Sequence, residues 1–315
     1  MMDRVTLGRT GLEVSIMGLG AGGSSTLGNG QGRPRENAIN IVRQALDLGV
    51  NLIDTAEAYT TEEQIGEALR GVNRDDFVIS TKFSAFNHAG GDGPKSLRHS
   101  IEGSLERLKL DHVDIYHLHG ATNDRYDTIV DQVYPELIRL REEGKIRFLG
   151  VTESFGQNSD HSMLARAVPS GLWDVVMIGH NMVNFCARDT VFPAIREHNV
   201  GTLVMHAVRH ALGNVENMKT MLRHLVDIGQ VDPDTVNLDD PLPEMQDELG
   251  GYADVAYRFC RAEEPLHCIL SGTGNPDHLA RNARSMTGPE LDAVTMRRIV
   301  EIFGRVDSVS GSKLK

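Results

Sequence analysis

The stretch Asn51-Leu52-Ile53-Asp54-Thr55-Ala56-Glu57-Ala58-Tyr59 begins as a short apolar run and ends in polar and acidic residues. A pattern typical of an amphipathic helix covers residues 35–48 before it, and a second one covers residues 62–70 after it. The next apolar run, at residues 77–82, is again short and rich in β-branched side chains. Short strands that alternate with helices in this way are typical of βα repeats built on a parallel sheet.

The same alternation continues along most of the chain. Strands are predicted at residues 16–19, 51–54, 77–82, 113–119, 146–151, 175–178, 202–206 and 266–270. Helices are predicted at residues 35–48, 62–70, 94–108, 128–143, 159–167, 190–197 and 251–261. The strands are continuous apolar runs, as expected when both faces of a parallel sheet are covered. Eight such repeats in 315 residues predict an α/β fold, the (β/α)8 TIM barrel, and we expect one domain spanning residues 1–315.

Two segments do not follow the repeat. Near the start, Val5-Thr6-Leu7 and Leu12-Glu13-Val14 flank Gly8-Arg9-Thr10-Gly11, which predicts a β-hairpin that plugs the bottom of the barrel. Between the seventh and eighth strands, residues 211–249 contain Asp232-Pro233-Asp234 and Asp239-Asp240-Pro241. This composition predicts a long loop over the carboxyl-terminal mouth of the barrel, where the active sites of such barrels lie.

Composition and charge exclude several classes of protein. Against 32 Lys and Arg stand 44 Asp and Glu, a formal net charge of −12, so we expect no nucleic-acid partner. We expect no membrane partner either, because no apolar run approaches the ~18 residues of a membrane span. The three cysteines, Cys186, Cys260 and Cys268, form no Cys-x-x-Cys motif. This usage favours a reducing compartment, and a cytoplasmic enzyme is the expectation.

Chemistry-bearing residues stand at the ends of three successive strands. The second barrel strand ends in Asp54, the third in Lys82 and the fourth in His117-Leu118-His119, while Tyr59 follows Asp54 by five residues. Since the carboxyl ends of barrel strands face one mouth, we expect an acid, an amine, an imidazole and a phenol to meet there.

These four side chains suit the protonation of an oxygen. A phenol of pKa ~10 is a poor acid at neutral pH unless a cation such as Lys82 favours its phenolate form. Asp54 would keep that ammonium charged. His119 would donate a hydrogen bond to a substrate carbonyl oxygen.

Two other interpretations of the same residues stay open. Asp54 and Lys82 could form an ion pair whose only role is structural. His117 and His119 lie two residues apart on one face of a strand, as the ligands of a metal-dependent hydrolase do. No metal is expected in the favoured interpretation, in which His117 lies one layer deeper as a core histidine.

Together with their order along the chain, these motifs are similar to those of the aldo-keto reductases. The similarity runs from about residue 4 to about residue 285 and is carried by Leu7-Gly8-Arg9-Thr10-Gly11-Leu12-Glu13-Val14-Ser15, Asn51 to Tyr59, Ser80-Thr81-Lys82, Asp114-Ile115-Tyr116-His117-Leu118-His119 and Gly144-Lys145-Ile146-Arg147-Phe148-Leu149-Gly150-Val151. The resemblance implies that Tyr59 is the proton donor, that Lys82 and Asp54 tune it, and that His119 orients the carbonyl.

The resemblance also implies a nicotinamide cofactor that extends across the barrel mouth, and a small carbonyl or alcohol substrate. NADP(H) is favoured and NAD(H) is possible. After the eighth strand, Ser271-Gly272-Thr273-Gly274-Asn275-Pro276 opens a helix whose free backbone N–H groups suit an anion. The cofactor contacts implied here are Gly20, Asp54, Gly272, Thr273, Gly274, His278 and Asn282.

The nicotinamide end departs from the family pattern. The residues implied there are Thr152 and Glu153 in place of Ser-Asn, Met177 in place of Gln, His206 in place of a stacking Tyr, and Arg209 near the pyrophosphate. Gly272 and His278 also replace a Lys and an Arg that bind a 2′-phosphate in many members of the family. An alternative function follows from these departures: a catalytically weak nicotinamide-binding sensor or scaffold protein of the same fold.

Overall fold

Eight parallel strands close into a barrel in this computed structural model, which describes residues 2–84, 93–247 and 250–314. The barrel strands are β3 (Met17–Gly20), β4 (Leu52–Asp54), β5 (Val78–Phe83), β6 (Val113–Ala121), β7 (Ile146–Glu153), β8 (Val175–Gly179), β9 (Gly201–Met205) and β10 (Cys268–Ser271). They are neighbours in chain order, and β10 pairs with β3 to complete the ring. The prediction of a (β/α)8 barrel is therefore confirmed.

Alternation along the strands decides which residues reach the site. Leu52 and Val78 pack in a cluster inside the barrel, whereas the intervening Ile53 and Ile79 pack in the larger cluster between barrel and helices. Because residues two apart on a strand share a face, Asp54 faces the barrel interior together with Leu52. By the same alternation, Lys82 shares a face with Val78, and His119 shares a face with Ile115. The side chains of Asp54, Lys82 and His119 therefore all lie at the carboxyl end of the barrel.

Helices surround the barrel and bury one face each. They are α1 (Arg35–Asp47), α2 (Glu62–Ala68), α3 (Gly93–Leu108), α4 (Tyr126–Glu142), α5 (Ser162–Ala167), α6 (Ala187–Thr190), α7 (Phe192–His198), α8 (Val215–Asp227), α9 (Pro243–Asp247), α10 (Tyr252–Arg261), α11 (Pro276–Thr287) and α12 (Ala293–Phe303). The helix predicted at 190–197 is divided into α6 and α7, with Pro193 in the first turn of α7. Within the described residues, no helix has the length and apolar character needed to cross a membrane.

The amino-terminal hairpin closes the barrel bottom, as predicted. Strands β1 (Arg4–Thr6) and β2 (Glu13–Ser15) pair antiparallel around a short 3-10 helix at Gly8–Thr10. Leu7, Leu12 and Val14 belong to the hydrophobic cluster inside the barrel. The hairpin therefore completes a core that the short barrel strands leave open at that end.

The segment predicted as a long loop between the seventh and eighth barrel strands is largely helical. It contains α8, in which Met218, Met221, Leu222 and Leu225 form a buried stripe, and the short α9. Asn214 caps α8 by accepting a hydrogen bond from the backbone of Asn217. Residues 248 and 249 of that prediction lie outside the described residues. The helical spacing was present in the sequence, but the neighbouring Asp-Pro motifs favoured a loop.

The buried hairpin at the barrel bottom should contribute to the stability of the fold. Leu7 has no solvent exposure, so Leu7→Ala should lower the free energy of unfolding by about 2–5 kcal/mol through lost burial and a residual cavity. Urea denaturation measures the change. Val294→Ala, at a residue 68% exposed, is the control and should change the free energy by less than about 0.5 kcal/mol. Equal effects of the two substitutions would contradict the role of the plug.

Candidate active site

A buried ion pair lies at the carboxyl ends of β4 and β5. Lys82 Nζ is 2.6 Å from Asp54 Oδ2 and also donates a hydrogen bond of 2.6 Å to the carbonyl oxygen of Thr55. The other carboxylate oxygen of Asp54 accepts a hydrogen bond of 2.7 Å from Ser80 Oγ. The Lys82 side chain has no solvent exposure, so these oxygens provide the solvation that water cannot.

Tyr59 lies above this pair at the end of a 3-10 helix, Glu57–Tyr59. Its Oη is 3.2 Å from His119 Nε2, and Lys82 Nζ is 4.9 Å from the centroid of its ring. A Cβ atom on Gly22 would lie 2.4 Å from that ring, so the glycine allows the phenol to lie against the loop after β3. The structure thus brings together the four residues predicted to meet.

Burial dominates the protonation of this group. It raises the pKa of Asp54, against the opposing effect of Lys82. It also raises the pKa of Tyr59, although Lys82 acts in the other direction. Lys82 thus favours the phenolate form of Tyr59, as the sequence predicted. Burial outweighs this effect, so the net result is a raised pKa of Tyr59. Burial and then Lys82 lower the pKa of His119 to about 3, so this imidazole is neutral at physiological pH.

His117 lies one layer deeper than His119. It is fully buried, and a Cβ atom on Gly150 would lie 2.2 Å from its Nδ1. Burial lowers the pKa of His117 well below its usual value. No group of three or more His, Cys, Asp or Glu side chains that could hold a metal occurs among the described residues. This placement matches the core histidine of the favoured interpretation.

A cavity of about 730 Å³ opens above Tyr59 and His119. The residues predicted as cofactor contacts that line it are Gly20, Asp54, Thr152, Glu153, Met177, His206, Arg209, Gly272, Thr273, His278 and Asn282. Lys82 lies behind Tyr59. Gly274 is not part of this lining, and a Cβ atom there would lie 2.4 Å from the backbone of Gly28, so Gly274 is a close-packing position.

The segment after β10 forms one end of the cavity. Asn275 caps α11 by accepting a hydrogen bond of 3.0 Å from the backbone N–H of Asp277, and Pro276 occupies the first turn. Asn282 donates a hydrogen bond of 2.9 Å to Ser271 Oγ. The helix predicted to open at this segment is therefore present and capped, and Gly272 and Thr273 border the cavity just before it.

The opposite wall is formed by the ends of β7, β8 and β9. Thr152 Oγ1 accepts a hydrogen bond of 2.6 Å from the backbone of Gly120. His206 adopts a left-handed conformation with φ of +65°, and burial followed by Arg209 lowers its pKa to about 3. The guanidinium of Arg209 is half-buried and donates a hydrogen bond of 3.3 Å to Ser312 Oγ.

Glu153 does not offer its carboxylate to the cavity. Both carboxylate oxygens lie 3.0 Å from His161 Nδ1, and neither side chain has any exposure. Burial opposes the charge on His161, but Glu153 outweighs it and, with a smaller contribution from Cys186, raises the pKa of the imidazole to about 10.

Several lining residues were not predicted. They include Gly22, Gly23, Ser24, Ser25, Phe155, Gly156 and Tyr257. Small residues clustered directly after the first barrel strand are a signal that could have identified Gly22 to Ser25, because that strand end also faces the mouth. Phe155 and Tyr257 carry no such signal, since an aromatic residue in a loop or helix is more often part of the core.

Comparison with known proteins identifies a family to which the chain is similar. A model of the Aldo/keto reductase family matches residues 17–303. L-galactose dehydrogenase from Arabidopsis thaliana is 36% identical over 205 residues, a match that spans 62% of this chain and 62% of the relative's length. NADH-specific methylglyoxal reductase from Escherichia coli (strain K12) is 26% identical over 96% of this chain and 100% of the relative.

A solved structure shares the fold over nearly the whole chain. It is an aldo-keto reductase from Bacillus halodurans in its holo form, with a TM-score of 0.71, 22% identity and coverage of 95% of each chain. The resemblance inferred from the sequence motifs is confirmed by the family match across the barrel. This chain belongs to the aldo/keto reductase family, a family of oxidoreductases.

Proposed function

We propose that this protein transfers a hydride between a nicotinamide dinucleotide and the carbon of a small carbonyl or alcohol, with Tyr59 as the proton donor. The observation that carries the proposal is the 3.2 Å contact between Tyr59 Oη and His119 Nε2 at the floor of the cavity, above the buried pair of Lys82 and Asp54. A phenol and a neutral imidazole that converge on one point suit a single oxygen atom of a substrate.

The residues of the cavity fit such a dinucleotide. A volume of about 730 Å³ is within the range for cofactor sites. Arg209 is half-buried, which lowers its pKa, and no ion pair to it occurs among the described residues. A desolvated guanidinium at the cavity favours an anionic group such as a pyrophosphate. Gly272 and Thr273, before the amino terminus of α11, would face the adenosine end.

The chain's own groups then have distinct tasks. When bound, the dinucleotide supplies or accepts the hydride. His119, being neutral, donates a hydrogen bond to the substrate oxygen and orients its carbon. Tyr59 keeps its proton at neutral pH because burial raises its pKa, and it gives up that proton as negative charge develops on the oxygen. Lys82 stabilises the phenolate that results.

The preference between NADP(H) and NAD(H) depends on charge near the adenosine end. Gly272 and His278 supply no permanent cation, but Arg281 lines the cavity and makes no ion pair within the described part of the chain. Arg281 also borders an adjoining cavity of about 480 Å³. We propose NADP(H) as the favoured cofactor, with Arg281 as the contact for a 2′-phosphate; the relative named NADH-specific makes NAD(H) the competing outcome.

Tyr59→Phe should remove turnover but keep dinucleotide binding, because the substitution removes only the phenolic hydroxyl. We expect kcat to fall by at least about 10²–10⁴-fold, the range for a general acid. Steady-state turnover on a panel of carbonyls and alcohols measures the first effect, and a titration of nicotinamide fluorescence measures the second. Tyr134→Phe, which removes a hydroxyl that donates to the carbonyl oxygen of Leu172 outside the cavity lining, is the matched control and should leave both unchanged.

Three outcomes of this experiment are informative. Undiminished turnover by Tyr59→Phe would refute the assignment of the proton donor. Clear dinucleotide binding by the wild type, without turnover of any carbonyl or alcohol, would favour the sensor or scaffold function. Absence of dinucleotide binding would refute both.

Arg281→Gln should weaken NADPH binding selectively. We expect the Kd for NADPH to rise about tenfold, equivalent to about 1.4 kcal/mol, and the Kd for NADH to change less than twofold. Arg297→Gln, at an exposed arginine on α12, is the control for a general loss of positive charge. Tighter binding of NADH than NADPH by the wild type, with no effect of Arg281→Gln on either, would show that the cofactor is NAD(H).

A further inference from the structure

The wall of the cavity formed by β7 to β9 is attached to a buried ion pair that the proposed chemistry does not use. Glu153 and His161 lie 3.0 Å apart and are both without solvent exposure. Glu153 Oε1 also accepts a hydrogen bond of 2.7 Å from the backbone N–H of Gly179, which ends β8. The carboxylate therefore ties the ends of two neighbouring strands to the loop that carries His161.

The aromatic ring of Phe155 connects this pair to the cavity. The rings of Phe155 and His161 stack with centroids 5.1 Å apart and an interplanar angle of 14°. Phe155 fits over Gly179, where a Cβ atom would lie 2.1 Å from the ring, and its centroid is 5.7 Å from that of His206. Phe155 and His206 both line the cavity.

A buried ion pair is a costly way to fill this space. Desolvation of both charges commonly cancels their attraction, and apolar residues of similar volume are often at least as stabilising. His161 also has a left-handed backbone, with φ of +60°, which few residues other than glycine adopt. Both features cost free energy, so a role beyond packing is the simpler account of them.

We propose that Glu153 and His161 are positioning residues for the nicotinamide end of the cavity. The charged pair fixes the plane of the His161 ring, and the stacked Phe155 ring transmits that orientation to His206 and to the cavity surface. Neither Glu153 nor His161 touches a ligand through its side chain. The inference rests on the proposed function, because it concerns the same dinucleotide site.

The test compares three variants that change the pair in steps. Glu153→Gln keeps the shape and the acceptor for Gly179 but removes the charge, and should raise the Kd for the preferred dinucleotide about tenfold. His161→Phe leaves Glu153 buried without its partner, and should raise the Kd further. The double variant leaves no unpaired charge and keeps a ring beside Phe155, so its Kd should lie below that of His161→Phe alone but above the wild-type value.

The matched control is Glu263→Gln. Glu263 pairs with Arg188, and neither residue lines the cavity. This variant should lower the midpoint of urea unfolding but leave the dinucleotide Kd within twofold of the wild type. If Glu153 had a purely structural role, its variants would likewise lower the midpoint of urea unfolding and leave the dinucleotide Kd unchanged.

The two proposals fail differently. If the wild type binds no dinucleotide, the proposed function is wrong. If the wild type binds and the folded Glu153 and His161 variants bind equally well, only the positioning inference is wrong. Should His161→Phe not fold, Phe155→Leu provides the test, since removal of the stacked ring should also raise the Kd and an unchanged value would overturn the inference.

A pH titration of stability tests whether the pair is charged. The groups that face His161 are Glu153 on β7, Cys186 before α6, and His180 after β8, which stays neutral because burial lowers its pKa. A raised imidazole pKa contributes stability that is complete below about 6.5 and is lost as the pH rises through about 10. The difference in unfolding free energy between wild type and Glu153→Gln should therefore narrow from pH 6.5 to pH 10. A constant difference would contradict the charged pair.

Discussion

A lysine ammonium without contact to solvent is the constraint around which the mouth of this barrel is arranged. A buried ammonium needs close partners that replace the solvation it loses. Asp54 is such a partner, at 2.6 Å. It can reach Lys82 because β4 and β5 are adjacent parallel strands in which Asp54 lies opposite Ser80, two residues before Lys82. Tyr59 lies next to this pair, with its ring centroid 4.9 Å from Lys82 Nζ, close enough for the ammonium charge to act on the phenol.

The same burial sets the protonation states on which the chemistry depends. Burial, and then the neighbouring charge of Lys82, lowers the pKa of His119 to about 3, so its imidazole is neutral. Burial raises the pKa of Tyr59 and outweighs the opposing effect of Lys82. In the reaction we propose, the contribution of Lys82 is largest after proton transfer, when the phenolate exists. This order is what differential stabilisation of the transition state requires.

The sequence allowed the barrel and its four central residues to be predicted because both depend on local period. Apolar runs define strands, alternation defines inward positions, and chain order defines neighbours, so Asp54 and Lys82 could be placed together without coordinates. The parts that were missed depend on contacts distant in sequence or on loop geometry. Gly274 packs on Gly28, across the closure between β10 and β3, and no periodic pattern records that contact.

The Glu153–His161 pair is a second example of a contact that no pattern in the sequence records. The family resemblance implied that Glu153 contacts the cofactor, yet its carboxylate is buried against His161, eight residues later. His161 has a left-handed backbone at this contact, and no composition or spacing in the sequence signals either feature.

Two ion pairs thus lie at one mouth, one below Tyr59 and one behind the cavity wall formed by the ends of β7 to β9, in a chain whose net charge is −12. An acidic protein that binds a dinucleotide has to concentrate positive charge where the phosphates lie. Many arginines cannot supply this charge, because carboxylates already neutralise them. Glu62 pairs with Arg107, for example, and Asp127 pairs with Arg166. Arg209 and Arg281 border the cavity and form no ion pair within the described residues, so their charge stays available to an anion. The acidic surplus is compatible with dinucleotide binding for that reason: attraction at short range depends on the few unpaired cations at the cavity, while salt screens the distant surface charges.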